Sequence, residues 1–343
     1  MLLSRGLECL EELFPGFEAD LVAAGAPVVE GSESLWLNAA GWCRRYLSPI
    51  RLLGASRALI EWQVRNRVTA LDNVEVLERC EAVGLLGDHD RGGVTGVRLR
   101  SHGGHAEVTG PDTDVPADFV VDASGRGSRA PRWLAALGYQ PPSQTAINSL
   151  LGYASRQDKI PANFQADWRM LVINAKPPGN ARTGALVPIE GGRWMVALIG
   201  AGRDYPPADD TVMTAVALDH LLAEHRRRPR VDPSALASRF QRLVARTSAG
   251  AWTMATSEDL RYPWTEGARL NLPTCFMHHY ADRVLEVTNG NPKVNTAFVN
   301  VVNLRHPPAS LFRPRVLLPV LARRRAPPLT NPPTTRHEAT PQR

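Results

Sequence analysis

The residues of this sequence best suited to chemistry lie in one short segment, FVVDASGRGSRAPRWL, at positions 119–134. Glycines in such a loop let the backbone approach a ligand closely, and the first amides of a following helix point toward a bound anion. Arg126 and Arg129 add positive charge there, and Asp122 has the chemistry to hold a ribose hydroxyl or to accept from loop amides. The segment therefore predicts a site for the diphosphate of a nucleotide.

A strand and a helix must position this loop. Residues 119–121 are apolar and rich in valine, which predicts a buried strand that ends at Asp122. Ser128 is the predicted N-cap of a helix that has Pro131 in its first turn. The alternative is an ordinary strand-to-helix turn whose glycines only adopt left-handed conformations.

The order D-A-S-G-R-G-S-R-A-P-R-W-L resembles the second nucleotide-binding motif of FAD-dependent monooxygenases of the p-hydroxybenzoate-hydroxylase-like superfamily. In that family an Asp-Gly or Asp-Ala-Ser-Gly sequence ends a strand, and Ser-x-x-Arg opens the next helix. The motif lies over the flavin and is tied to NAD(P)H use in the hydroxylases. The resemblance implies that FAD is contacted by Asp122, Ala123, Ser124, Gly125 and Arg129.

A second stretch carries the same resemblance. Ser56, Arg57 and Leu59 resemble, with the leucine one position earlier, a Ser-Arg-x-x-Leu helix start that in the family leads to a strand of the FAD-binding sheet and then to a three-stranded meander. The family arginine commonly approaches the flavin phosphates, so the resemblance gives Arg57 this role; a solvated first-turn arginine is the alternative. The corresponding strands are predicted at 74–77, 82–86, 94–99 and 106–109.

The predicted fold class is α/β (α+β). It comprises an incomplete FAD-binding Rossmann-like domain with a β-meander at 1–142, an antiparallel substrate-domain sheet at 143–208, a helical region at 209–322 and a disordered basic tail at 323–343. Four strand-like runs form the sheet, with a hairpin turn at 190–192. In the family such a sheet covers the flavin ring beside an apolar cavity. Tyr153, Trp168, Met170, Trp194 and Met195 would lie near that cavity, or else in the core.

Two motifs of the family are missing. The chain does not open with a strand, a G-x-G-x-x-G turn and a helix, and it lacks the acidic residue about twenty positions later that holds the adenosine ribose. The Gly-Asp motif expected after the substrate sheet is also absent, because residues 204–207 run directly into a predicted helix at 213–226. We therefore expect a lost opening βαβ unit and an internal deletion.

Two functions follow from the resemblance. The first is an FAD-dependent oxidoreductase, a monooxygenase that hydroxylates or epoxidises a small apolar or aromatic substrate with NAD(P)H and dioxygen. The second is a truncated, non-catalytic flavoprotein remnant that acts at most as a binding protein. No catalytic residue is assigned, and no metal site is predicted, because the H-G-G-H sequence at 102–105 fits a solvated hairpin turn.

Composition favours a globular protein that does not bind nucleic acid, with 43% hydrophobic and 22% charged residues. Residues 301–343 hold eight arginines and one acid, whereas residues 1–300 hold 32 basic and 33 acidic residues. The body is thus nearly neutral, and only the basic tail is a candidate for contact with an anionic membrane. The four cysteines form no C-x-x-C pair, so we expect reduced thiols and a cytoplasmic location.

Overall fold

The computed structural model describes residues 2–47, 50–88, 93–102, 112–141, 143–162, 164–177, 179–201 and 255–322, together with 329, 332–333 and 336–337. The described residues form two compact units. The larger contains those up to 65, those from 146 to 201 and those from 255 onward, and the smaller contains those from 66 to 145. The helix predicted at 213–226, the join at 204–207 and the strand predicted at 106–109 lie outside the described residues. The four-part division of the chain stays a prediction.

The helices and strands alternate irregularly along the chain, which confirms the mixed α/β class. In order they are α1 (Ser4–Leu13), α2 (Phe17–Ala23), β1 (Val28–Glu30), β2 (Ser34–Asn38), β3 (Gly41–Trp42), β4 (Arg45–Tyr46), β5 (Arg51–Leu53), α3 (Arg57–Thr69), β6 (Cys80–Asp88), β7 (Gly93–Ser101), β8 (Thr113–Pro116), α4 (Ala130–Ala136), β9 (Leu151–Lys159), β10 (Met170–Ile173), β11 (Arg182–Ile189), β12 (Arg193–Ala201), α5 (Leu272–Thr288), α6 (Pro292–Val302), α7 (Pro314–Leu321) and β13 (Arg336–His337).

The first two helices of the larger unit form because leucines recur at helical spacing before the Pro15-Gly16 break. Their apolar faces meet in a core that includes Leu7, Phe17, Leu21 and Leu53. The carboxylate of Glu11 accepts from the backbone amides of Gly16 and Glu18, at 2.6 and 2.9 Å. This contact joins the end of α1 to the start of α2, where a negative charge is favourable.

Helix α3 begins as its sequence predicts. Ser56 Oγ accepts from the amide of Leu59 at 3.1 Å, which makes Ser56 a side-chain N-cap. The backbone amide of Ser56 donates to Glu190 Oε2 at 2.9 Å. Burial alone would raise the pKa of Glu190, but the hydrogen bonds from Ser56 outweigh it and hold the pKa below its usual value. The start of α3 is therefore fastened to the hairpin between β11 and β12.

A six-stranded sheet forms the centre of the larger unit, in the order β3-β2-β10-β11-β12-β9. The strands predicted at its core, β9 to β12, are present, and β10, β11, β12 and β9 pair antiparallel. The sheet is nevertheless mixed, because β2 from the start of the chain joins β10 in parallel. Gly191 and Gly192 both have positive φ, 73° and 64°, as a tight two-glycine hairpin turn requires. On one face, Met170 and Val187 pack with Val29 of β1.

The C-terminal helices α5, α6 and α7 bury a valine-rich core that includes Val284, Val294 and Val320. Asn271 and Asn291 cap α5 and α6 through their side-chain oxygens. Among the helices formed by the described residues, none has the length and apolarity needed to cross a lipid bilayer.

The smaller unit is a three-stranded antiparallel sheet, β6-β7-β8, followed by α4. Two exposed arginines of β7 form ion pairs with aspartates on or beside β8, Arg98 with Asp114 and Arg100 with Asp112. The third strand of this meander is Thr113–Pro116.

Two strands predicted for the smaller unit are absent. Residues 74–77 and 119–122 form neither a strand nor a ladder with any described residue. Val76 and Val121 are 41% and 48% exposed, so the prediction of a buried strand before Asp122 is wrong. The physical reason is that β-branched residues make a strand only where a neighbouring strand takes up their backbone hydrogen bonds.

The predicted disordered tail is paired at two described places. Leu329 forms an isolated bridge with Trp42, and β13 pairs in parallel with β4. The chain therefore returns to the larger unit at these positions, which differs from the expectation of a wholly unstructured tail.

Candidate functional site

Asp122 organises the loop that the sequence singled out. Its Oδ1 accepts from the backbone amide of Ser124 at 2.9 Å and from Ser124 Oγ at 2.5 Å, and its Oδ2 accepts from Ser128 Oγ at 2.5 Å. These hydrogen bonds, those of Ser124 first, lower the pKa of Asp122. The Asp122 carboxylate therefore holds the loop together. This is the second of its two expected roles, acceptance from loop amides.

The glycines of the loop face open space. Gly125 has φ of 70° and starts a short 3₁₀ turn over Gly125–Gly127. A Cβ built on Gly125 or on Gly127 would meet no atom within 4 Å. The backbone here can therefore be approached closely by a ligand, which is the property that a phosphate-binding loop needs.

Arg129 is bound to the neighbouring strand. Its Nη2 donates to the carboxylate of Glu81 and to the carbonyl of Ala82, and its guanidinium lies 5.5 Å from the ring centroid of Trp133. The hydrogen bonds from Arg129 and then from His102 lower the pKa of Glu81. Arg129 would have to leave Glu81, or share its donors, before it could bind a phosphate.

The structure brings most of the predicted cofactor residues together. Asp122, Ala123, Ser124, Gly125 and Arg129 all lie on the exposed side of the smaller unit. Arg57 belongs to the larger unit, where its side chain is 79% exposed and its Nε donates to Glu61 at 2.6 Å. The assignment of these six residues to FAD stays a prediction.

Two cavities of about 680 and 560 Å³ are lined by residues of the larger unit. The first lies along residues 260–270, and the second lies at the end of the six-stranded sheet beside Trp168 and Trp194. Of the five side chains that the resemblance placed near a cavity or in the core, Trp168 and Trp194 line this cavity, whereas Met170 is 3% exposed and packs in the core.

Sequence reasoning missed Arg45. Its side chain is fully buried, with Nε donating to the carbonyl of Ser32 at 2.6 Å, Nη2 to the carbonyl of Asp167 at 2.5 Å, and Nη1 to the Asp167 carboxylate. Arg45 and Asp167 are 122 positions apart. One arginine in an arginine-rich chain gives no signal of such a contact.

The described residues show neither a metal-binding cluster nor an activated thiol. They contain no group of three or more His, Cys, Asp or Glu side chains placed to hold a metal ion. The four cysteines form no disulfide with one another. Burial raises the pKa of the Cys43 thiol to about 12, so this thiol is a poor nucleophile.

Comparison with known proteins gives few relatives. No protein-family model matches the sequence. Protein Rv3254 of Mycobacterium tuberculosis (strain ATCC 25618 / H37Rv) is 34% identical over 231 residues, an alignment that covers 65% of this chain and 47% of that protein. The chain thus spans about half the length of this curated relative.

Among solved structures, the flavin-dependent brominase Bmp2 and a triple mutant of it are similar to this chain. Each has a TM-score of 0.41 and 13% sequence identity. The matches cover 94% of this chain and 83% of the mutant, and 86% of this chain and 81% of the unmutated brominase. Values this low assign no function to the chain.

Proposed function

We propose that this chain is the flavin-contacting and substrate-sheet part of an FAD-dependent oxidoreductase, a monooxygenase that uses NAD(P)H and dioxygen. The observation that carries the proposal is the loop D-A-S-G-R-G-S-R. The loop resembles the second nucleotide-binding motif of such enzymes. In the structure, hydrogen bonds to Asp122 hold the loop in shape, and the backbone at Gly125 is accessible to a ligand.

The residues present fit a flavin nucleotide in part. Gly125 and Gly127 leave space for a diphosphate or a ribityl chain against the backbone, and Asp122 is already oriented by two serine hydroxyls. Arg129 fits less well, because its guanidinium binds Glu81. In this proposal Asp122, Ser124 and Gly125 hold the nucleotide.

Bound FAD would supply the redox chemistry. It would take two electrons from NAD(P)H and, with dioxygen, place one oxygen atom on the substrate while the other leaves as water. The residues of this chain would bind and orient the nucleotide. A small apolar or aromatic substrate is supported by the aromatic side chains that line the cavity at the end of the sheet.

One observation favours a second candidate, a non-catalytic remnant. Residues 74–77 and 119–122 have strand-forming sequences but expose Val76 and Val121 and pair with no described residue. A sheet that lacks its neighbouring strands leaves backbone groups and apolar side chains in water. A chain in this condition would bind flavin weakly or not at all.

The test is FAD binding by the full chain. We expect the purified protein, titrated with FAD, to quench flavin fluorescence to a stoichiometric end point, with riboflavin binding far more weakly because it lacks the diphosphate. Gly125→Asp should weaken FAD binding by about tenfold or more, because it places a side chain and a negative charge in the loop.

Gly138→Asp is the matched control. Gly138 also has positive φ, 84°, lies in the smaller unit, and has no atom within 4 Å of an added Cβ. It should therefore carry the same backbone strain without touching the nucleotide. A colourless protein that binds no added FAD would overturn the proposal and favour the remnant.

A further inference from the structure

Helix α7 of the larger unit is apolar on two sides. Val316 and Val320, which are 3% and 1% exposed, pack in the core that α7 shares with α5 and α6. Leu318 and Leu321 lie on the other side of the helix and are 64% and 58% exposed. A surface helix of a globular protein is normally polar on the side that faces away from the core. The second apolar side of α7 therefore indicates a surface that contacts something other than water.

Two exposed arginines lie beside these leucines. Arg313 is the residue before the helix, and Arg315 lies three positions before Leu318 on the same exposed side. Their guanidinium groups form no hydrogen bond or ion pair with any residue in the described part of the chain. By contrast, the exposed Arg156 of β9 is paired with Asp158 at 2.8 Å. The positive charge beside the leucines is therefore available to an external anion.

The sequence around α7 adds positive charge and almost no negative charge. Neither α7 nor the 3₁₀ turn before it, Pro308–Phe312, contains an acidic residue. Three consecutive arginines follow at positions 323–325, and residues 301–343 hold eight arginines and one acid. Exposed leucines within a cluster of arginines fit the surface of an anionic bilayer. There the apolar side chains enter the boundary of the acyl region, and the basic side chains bind headgroup phosphates.

We propose that α7 docks on the surface of a bilayer that contains anionic phospholipid, with Leu318 and Leu321 at the acyl boundary and Arg313 and Arg315 on the headgroups. The valine side of the helix stays packed in the protein core. The helix therefore lies along the bilayer and does not cross it, in keeping with its length of eight residues. The inference goes beyond the proposed function, because it needs neither the loop at Asp122 nor a flavin.

Co-sedimentation of the full chain with lipid vesicles tests the proposal. Vesicles of phosphatidylcholine with about 30% phosphatidylglycerol are compared with vesicles of pure phosphatidylcholine at the same lipid concentration. We expect the chain to bind the anionic vesicles at least about tenfold more strongly than the neutral ones. This preference should decrease as salt is added, because salt screens the attraction between the arginines and the headgroups.

Two double variants separate the apolar contribution from the charged one. Leu318→Gln with Leu321→Gln should weaken binding to the anionic vesicles by about tenfold, although it leaves every charge in place, because two leucine side chains no longer enter the bilayer. Arg313→Gln with Arg315→Gln should also weaken it by about tenfold or more, since each arginine near an anionic surface contributes about fivefold.

Each double variant has a matched control. Leu71→Gln with Leu77→Gln replaces two leucines of the smaller unit that are 48% and 36% exposed. Arg156→Gln with Arg182→Gln removes two exposed charges from the central sheet, so the net charge falls by the same amount as in the α7 variant. Both controls should bind the anionic vesicles within about threefold of the unaltered chain, because neither changes the side chains that meet the bilayer.

Circular dichroism and thermal melting report whether each variant is folded, and the single variants Leu318→Gln and Leu321→Gln replace the double variant if it is not. The proposal is overturned if the anionic vesicles bind no better than the neutral ones, or if the leucine variant binds as well as the unaltered chain. It is also overturned if light scattering shows a dimer that the leucine variant dissociates, since α7 would then be covered by a second copy. None of these outcomes depends on FAD, so they are separate from failure of the proposed function.

Discussion

The central sheet of the larger unit and two segments of the smaller unit have similar apolar sequences, but only those in the sheet form paired strands. Strands β10 and β12, MLVI and RWMVALIGA, are rich in valine, leucine and isoleucine, as are NVEVL at 73–77 and FVV at 119–121. β10 and β12 are paired on both sides within the sheet, and Met170 is 3% exposed. The segments at 74–77 and 119–122 pair with no described residue, and Val121 is 48% exposed.

The difference shows that a segment with high strand propensity forms a strand only where another strand is available to pair with it. A β-branched run lowers the cost of extended backbone, but the ladder hydrogen bonds and the covered face come from residues far away in sequence. In the larger unit β2 supplies such a partner to β10. In the smaller unit no described residue does so for 119–122.

Hydrogen exchange should give the largest contrast between the two regions. We expect the amides of β10 to β12 to exchange at least about a thousandfold more slowly than those of 75–77 and 119–122, because ladder hydrogen bonds must open first. The paired strands β6 and β7 are the control, since they belong to the smaller unit and should be protected. Fast exchange in β6 and β7 would mean that the whole unit is unstable; slow exchange at 119–122 would mean that this segment is paired.

Removal of a buried arginine should cost more than removal of an exposed one. Arg45→Ala leaves the carbonyls of Ser32 and Asp167 and the Asp167 carboxylate without their donor. We expect the free energy of unfolding to fall by about 1–3 kcal/mol, because the buried carbonyl of Ser32 loses its donor, whereas the Asp167 carboxylate is 54% exposed and stays hydrated. Arg98→Ala removes an exposed partner of Asp114 in the smaller unit and should not move the urea midpoint measurably. Equal shifts for the two variants would contradict this contrast.

The sequence predicts the local features of this molecule well. The leucine spacing of α1, the Ser56 cap of α3 and the glycine turn at 190–192 are each encoded within a few residues, and all three are present. At the loop, Asp122 accepts from the backbone amide of Ser124, as the sequence allows, whereas the N-cap of the following helix is Arg129 and not the predicted Ser128.

The long-range features could not be predicted in the same way. The parallel pairing of β2 with β10 and the clamp of Arg45 on Asp167 join residues more than a hundred positions apart, and neither leaves a periodic signal. The failed strand at 119–122 has the same cause, since its pattern says nothing about whether a partner is there.

Two glycines should differ in how much stability an added methyl group costs, because Gly54 packs closely against β11 in the larger unit and Gly127 lies in the open loop of the smaller unit. A Cβ on Gly54 would lie 1.9 Å from the carbonyl oxygen of Pro188, whereas one on Gly127 would meet no atom within 4 Å. We expect Gly54→Ala to lower the free energy of unfolding by about 1–3 kcal/mol through overpacking. Gly127→Ala should change it by less than about 0.5 kcal/mol. Urea denaturation of both variants checks this, and a large loss for Gly127→Ala would mean that the loop is not open.

The smallest effect is expected at Asp122. Its pKa is lowered by hydrogen bonds from Ser124 and Ser128, so its contribution to stability is present above the ordinary carboxyl pKa of 3.8 and is lost as the pH falls through the lowered value. Asp122→Asn should therefore cost about 0.5 kcal/mol or less at pH 7, since the loop is exposed to solvent, and progressively less as the pH falls through the lowered pKa. Asp118→Asn, an exposed carboxylate earlier in the same segment, is the control and should cost less at pH 7. If Asp122→Asn and Asp118→Asn behave alike across this range, the serine contacts do not hold the loop in solution, and the geometry on which the flavin proposal depends is lost.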